Sequence, residues 1–154
     1  MTAPARTDVR LTNDAWEALM TAHATLLAKF SAEDMWGEAS VREYDVLYTL
    51  AKFGAPVRIC SVQERVLLSQ PALSRMIDRL ATRGLVARAA DEQDGRAVLV
   101  SLTEEGARVQ REIGRAHAKS VARDLGAGLS TDELHELERL CLKLVATQTA
   151  PPTE

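Results

Sequence analysis

Apolar residues recur along this chain in two periods, and the points where the period changes divide it into elements. Between about Asn13 and Trp36, the positions Trp16, Leu19, Met20, His23, Leu26, Leu27 and Phe30 keep returning to one side of a 3.6-residue repeat. That is the pattern of an amphipathic helix. Asp14-x-x-Glu17 is a candidate capping box near its start, and Gly37 is its stop. Ser40-x-x-Glu43 opens a second helix with Val41, Tyr44, Leu47, Tyr48 and Ala51 on one face, closed by Gly54 and Pro56. Ser61-x-x-Glu64 predicts a short third helix ending near Leu67. Ser69 caps a fourth, with Pro71 in the first turn, where a missing N–H costs little. Leu73, Met76, Ile77 and Leu80 form the buried stripe of that helix, and Gly84 ends it.

The period then drops to two. Leu85 to Ala90 reads as a strand, DEQDGR as a turn, and Ala97 to Leu102 as a second strand with Val98, Val100 and Leu102 on one face. Thr103 begins a long helix reaching about Leu125, where Gly126 and Gly128 are expected to break it. Ser130-x-x-Glu133 caps a last helix, whose apolar positions are Leu134, Leu137, Leu140, Cys141, Leu144 and Val145. Residues 1–10 and 148–154 read as polar, proline-containing tails.

Composition narrows the function class. A length of 154 residues suits one domain with an appendage, large enough to need no metal or disulfide staple. No apolar run is long enough to span a membrane. The opening MTAPARTDVR lacks the apolar core of a secretory signal. Cys60 and Cys141 are too few and too far apart for a disulfide framework or zinc ribbon, so a reducing cytoplasm is the expected setting. The net charge of −3 excludes a uniformly basic coat. Between Arg58 and Arg88, however, six arginines accompany only two acids. Such a segment either draws a polyanion or consists of arginines paired on a solvated helix face.

Two short helices meeting at LLSQ with almost no linker, followed at once by a hairpin, have the layout of a winged helix-turn-helix. The fold class is therefore mainly α, with a β-hairpin wing. Opposite the buried stripe of the fourth helix stand Gln70, Pro71, Ser74, Arg75 and Asp78. A helix N-terminus favours phosphate, and Gln and Arg can pair bidentately with adenine and guanine edges. Arg96 in the hairpin turn has the shape for a narrow minor groove. Winged helices also serve as protein–protein modules, and that reading stays open as the alternative.

The stretch LLSQPALSRMIDRLATRGLVARAADEQDGRAVLVSLTEEG resembles the centre of the MarR (multiple antibiotic resistance regulator) family of bacterial transcription factors. The most specific parts are SQPALSRMIDRLATRGLV and the wing pattern Asp94-x-Arg96, followed by Leu102-Thr103-x-x-Gly106. The resemblance extends over roughly residues 12–146. It implies a homodimeric regulator, expected to be a repressor, on a pseudo-palindromic double-stranded DNA operator. Ser69, Gln70, Pro71, Ser74, Arg75 and Arg79 would contact DNA from the recognition helix, and Arg96 from the wing with Asp94 supporting it. The acids Asp91 and Glu92 depart from a purely basic wing and would weaken its phosphate contacts. The implied division is an N-terminal dimerisation helix over 11–37, a DNA-binding lobe over 38–102 and C-terminal dimerisation helices over 103–147. Leu134, Leu137, Leu140, Cys141 and Leu144 would form the dimer seam.

Members of the family are often released from DNA by a small aromatic ligand. Trp16, Met20 and His23 on the first helix, with Tyr44, Asp45 and Tyr48 on the second, are the candidate lining for one. NDAWEALMTAHATLL with EYDVL resembles the branch that answers to urate or other anionic aromatics. Plain core packing is the first expectation for Trp16 and His23, and Asp45 could be exposed or paired with Arg79. Other members sense thiol oxidation, which would involve Cys60 beside a helix start. Their reactive cysteine lies in the first helix, where this chain has none, so buried, inert thiols are expected at Cys60 and Cys141. An enzyme is not expected. His23, His117 and His135 are scattered, there is no HExxH, no glycine-rich phosphate loop and no serine elbow, and no metal or cofactor is implied.

Overall fold

The computed structural model describes residues 8–95 and 97–149. Among these, the chain runs through α1 (Val9–Ser31), a 3-10 turn (Asp34–Trp36), α2 (Val41–Phe53), β1 (Val57–Arg58), α3 (Ile59–Gln63) and α4 (Gln70–Thr82). It continues through β2 (Val86–Ala90), β3 (Val98–Leu102), α5 (Glu104–Gly128) and α6 (Thr131–Thr149). Two compact units divide within α5, at Gly114. No described helix is long and apolar enough to cross a membrane.

The first unit is organised around one apolar core. Val46, Leu47 and Leu50 of α2, Val62 of α3, and Leu73, Met76, Ile77 and Leu80 of α4 meet Leu85, Val86 and Val100 from the sheet. The sheet is antiparallel in the order β1-β3-β2. Val86 lies opposite Leu102 and Ala90 opposite Val98 in the hairpin, while Val57 and Arg58 pair with Val100 and Leu99. A winged helix-turn-helix with its hairpin wing is thus present.

Local signals set most boundaries. Ser40 and Glu43 form the reciprocal capping box of α2, and Gly54 ends that helix at a φ of 65°. At the end of α4, the Gly84 N–H donates to the Ala81 carbonyl and the Leu85 N–H to the Leu80 carbonyl. This is a Schellman turn, with Gly84 at a φ of 72°. It turns the chain from helix to strand within two residues and returns Leu85 to the core beside Leu80.

Several boundaries differ from the sequence reading. α1 begins at Val9, not near Asn13, because the Asp8 carboxylate accepts from the N–H groups of Arg10 and Leu11. It also ends at Ser31, before Trp36. The chain folds back there, so that the Trp36 indole N–H donates to the Phe30 carbonyl at 2.8 Å and the ring is buried. α3 starts at Ile59, with Ser61 inside it, because Val57 and Arg58 are taken by the sheet as a third strand. That register turns Ile59 and Val62 to the core and leaves Cys60 exposed rather than buried, while Cys141 is half-buried. α5 passes through Gly126 and reaches Gly128. A glycine costs a helix only about 1 kcal/mol relative to alanine, and the chain breaks instead before Ser130, whose hydroxyl and N–H engage Glu133. The tails expected over 1–10 and 148–154 lie largely outside the described residues, which enclose Asp8 to Arg10 at one end and Gln148 and Thr149 at the other.

The sheet meets α5 at a tight joint. Thr103 donates its hydroxyl proton to the Gly84 carbonyl at 2.7 Å and accepts from the Gly106 N–H at 2.9 Å. A Cβ at Gly106 would sit 1.9 Å from the Leu85 carbonyl oxygen. Gly106→Ala therefore has to push α5 away from the core, and we expect a loss of about 3 kcal/mol in a denaturant titration. Gly126→Ala, where nothing lies near the added Cβ, serves as control and should be neutral or stabilising.

Candidate nucleic-acid interface

The outward face of α4 follows from its inward one. Leu73, Met76, Ile77 and Leu80 are buried, so Ser69, Gln70, Pro71, Arg75, Asp78 and Arg79 stand exposed around them, with Ser74 half-buried. Ser69 occupies the N-cap position, but its side chain makes no capping bond. The first-turn N–H groups of α4 therefore have no side-chain acceptor, as suits an incoming phosphate oxygen.

The cluster of six arginines now resolves residue by residue. Arg58 donates from Nε and Nη2 to Asp91 at 2.9 and 2.7 Å. Arg65 lies over the Phe53 ring, 4.6 Å from its centroid. Arg83 pairs with Glu43 at 3.4 Å and donates to the Glu38 carbonyl. Arg88 pairs with Asp78. Of the six, Arg75 and Arg79 alone engage neither an acid, a carbonyl nor a ring among the described residues, and both belong to the exposed face of α4. Four guanidiniums are committed within the protein, as the reading of paired arginines expected in part, and two have no partner among the described residues.

Arg96 lies outside the described residues, so the wing is described by its neighbours. Glu92, Gln93, Asp94 and Gly95 are exposed. Asp91 is buried, accepts from the Gln93 N–H at 2.9 Å and holds Arg58. The Gln93 N–H first, and the Arg58 guanidinium second, keep the Asp91 carboxyl below its ordinary range. One of the wing acids is thus neutralised internally and does not face outward as excess charge. Asp94 sits 3.9 Å from Arg58.

The six residues considered for an effector fall into three places. Trp16 and Met20 are exposed on α1, with Trp16 61% accessible. His23 and Asp45 line one small cavity of about 90 Å³ with Leu27, Arg42 and Leu68. Tyr44 is buried between Trp36 and Tyr48, at ring distances of 5.6 and 5.9 Å, and burial raises its hydroxyl pKa despite a hydrogen bond to Gln110. Tyr48 is exposed, with Lys52 over its ring. A larger pocket of about 450 Å³ escaped the sequence reading. Its lining includes Trp36, Arg83, Leu85, Arg108, Glu112 and Ile113, which are brought together only by folding. In the second unit, Leu137, Leu140 and Leu144 are exposed along α6, with Leu134 and Cys141 half-buried beside them.

Known proteins share this arrangement. The profile of the MarR family matches residues 40–98. The chain is 32% identical over 103 residues to the transcriptional regulator PecS of Dickeya dadantii, an alignment covering 66% of this chain and 61% of PecS. It thus spans less than two thirds of that relative. It is 34% identical over 119 residues to an uncharacterized HTH-type transcriptional regulator of Mycobacterium bovis, covering 77% of this chain and 79% of the relative. Among solved structures, BpsR of Bordetella bronchiseptica, whose DNA binding is regulated by 6-hydroxynicotinic acid, superposes with a TM-score of 0.73. It is 25% identical, over 86% of this chain and 98% of its own. With a winged helix-turn-helix and relatives that match it, the chain belongs to the MarR family of DNA-binding transcriptional regulators.

Proposed function

We propose that the chain acts as a homodimeric repressor on a pseudo-palindromic operator, and that a small anionic aromatic ligand releases it. The observation that carries this reading is the pair of unengaged guanidiniums, Arg75 and Arg79, on the outward face of a helix whose other face is wholly buried. In a major groove, Gln70 and Arg75 would reach base edges, Ser69, Ser74 and Arg79 would meet phosphate, Pro71 would pack against the backbone, and Arg96 would enter the adjacent minor groove from the wing. Residues 38–102 form the DNA-binding lobe in this reading. Residues 11–37 and 103–147 carry the dimer contacts.

The apolar stripe of α6 supports the dimer. Leu137, Leu140 and Leu144 are each 39% or more exposed, and three exposed leucines on one stripe call for a partner. A second copy is the occupant that also supplies the second recognition helix, about one DNA turn from the first. The effector reading draws on BpsR, whose DNA binding is regulated by an aromatic acid. It also draws on the Tyr44–Tyr48 pair of α2 with Lys52 over the Tyr48 ring and on the exposed Trp16 of α1, each an aromatic surface suited to a flat ligand. A ligand that lowers operator affinity 100-fold has to favour the DNA-incompetent conformer by about 2.7 kcal/mol.

Three measurements test this. Arg75→Ala should cost about 1–3 kcal/mol of affinity for the duplex upstream of the protein's own gene, read by fluorescence anisotropy, with an unchanged thermal midpoint. Unaltered affinity would remove Arg75 from the interface. Leu137→Glu combined with Leu144→Glu buries unpaired charge at a two-fold seam, so the protein should run as a monomer in sedimentation and lose operator binding. A soluble dimer would take α6 out of the seam. Finally, benzoate or 6-hydroxynicotinate titrated against the protein–operator complex should dissociate it and quench Trp fluorescence, and Trp16→Phe should lose much of that quench. If neither compound acts while mild peroxide does, and Cys60→Ser abolishes the peroxide response, the exposed thiol is the sensor instead.

A further inference from the structure

A hairpin of two five-residue strands has little to hold its tip, yet the wing turn here is tied down from an unexpected side. Arg58 is the last residue of β1 and also the N-cap residue of α3, the first helix of the helix-turn-helix. β1 lies at one edge of the sheet and β2 at the other, with β3 between them. The Arg58 side chain nonetheless reaches Asp91, the residue directly after β2, with two donors on one carboxylate oxygen. The other carboxylate oxygen accepts from the Gln93 N–H. The turn then closes on itself. Asp91 N–H donates to the Ala97 carbonyl at 3.0 Å, Ala97 N–H to the Asp94 carbonyl at 2.8 Å, and Asp94 N–H to the Asp91 carbonyl at 3.2 Å. Asp91 is buried while its neighbours in the turn are exposed.

We propose that Arg58 and Asp91 form a clamp that fixes the wing tip relative to the helix-turn-helix, making Arg58 a positioning residue for DNA binding rather than a DNA contact. The inference rests on the DNA-binding reading above. An arginine in a basic segment would ordinarily be assigned to phosphate. Here both of its donors on that side are spent on a buried carboxylate, and the carboxylate in turn orders the turn that carries Arg96. With the clamp closed, the wing and the α3–α4 pair present their contacts as one body, so the cost of ordering the tip does not fall on the binding step. Opening it would loosen the turn that Asp91, Gln93, Asp94 and Ala97 close, and the wing's contribution would fall even though no DNA contact had been removed.

The two explanations predict opposite signs for one substitution. Asp91→Asn deletes a negative charge close to DNA. Electrostatics alone would tighten binding. The clamp predicts instead that operator affinity falls about fivefold and that the salt dependence flattens by up to about one counterion per wing. Arg58→Lys, which keeps the charge but not the two-donor geometry, should do the same. In an Arg96→Ala background both losses should shrink below about twofold, because residues acting through one group are not additive. In the free protein, amide exchange at Gln93 and Ala97 should speed up about tenfold in either variant, with thermal unfolding unchanged. Tighter binding by Asp91→Asn, unchanged exchange, or full additivity with Arg96→Ala would overturn the clamp while leaving DNA binding intact. Wild-type protein that binds no upstream duplex, at any salt, would overturn the DNA-binding reading and this inference with it.

Discussion

Burial of the α4 stripe is the constraint on which the first unit depends. Leu73, Ile77 and Leu80 are fully enclosed, and Met76 nearly so, between α2, α3 and the sheet. Each such side chain contributes about 1.5–3 kcal/mol relative to exposure, so α4 cannot rotate about its axis without losing most of the core. Its outward face is therefore fixed to within a fraction of a turn, and with it the directions of Gln70, Arg75 and Arg79. The Schellman turn at Gly84 and the Thr103–Gly84–Gly106 joint extend the same constraint. They bind the wing strands to the end of the helix and α5 to the wing strands. α4 and the wing strands are thus placed by packing, not by loops.

Charge is apportioned on top of that scaffold. The basic segment is not a patch in the simple sense, since Arg58, Arg83 and Arg88 each hold an acid or a carbonyl and Arg65 covers Phe53. These pairs are partly exposed and contribute little stability individually. Their effect is geometric. Arg83 joins the end of α4 to the start of α2, and Arg88 joins β2 to the middle of α4. The two uncommitted guanidiniums, Arg75 and Arg79, stand on one helix face, so the positive charge left over from internal pairing is local rather than spread over the chain. The family and fold are those of regulators, and no enzymatic chemistry is needed to explain any of these residues.

What could be read from the chain was whatever depends on near neighbours. The capping box at Ser40, the Pro71 first turn, the stop at Gly84 and the change of period at Leu85 are all set within four or five residues, and the structure has each of them. The stripe of α4, and so its outward face, follows from the same short-range periodicity. The motif residues that carry the family resemblance lie almost wholly in these elements, which is why fold and family were legible together. The third strand was not, because two residues have no period, and Val57 and Arg58 are strand only through their pairing with Val100 and Leu99.

The amino-acid sequence thus determined the element order, the winged helix-turn-helix, the family and the face of α4 that meets solvent, since helical and strand periods and caps are local physics. Only the tertiary structure decided which arginines remain uncommitted, because an ion pair such as Arg58 with Asp91 spans 33 residues and leaves no trace in spacing. It likewise decided that Trp36 folds back onto Phe30 and that Cys60 points outward. It also divided the aromatic candidates among three separate places. Each of those outcomes depends on what another element brings alongside, and short-range pattern carries no information about that.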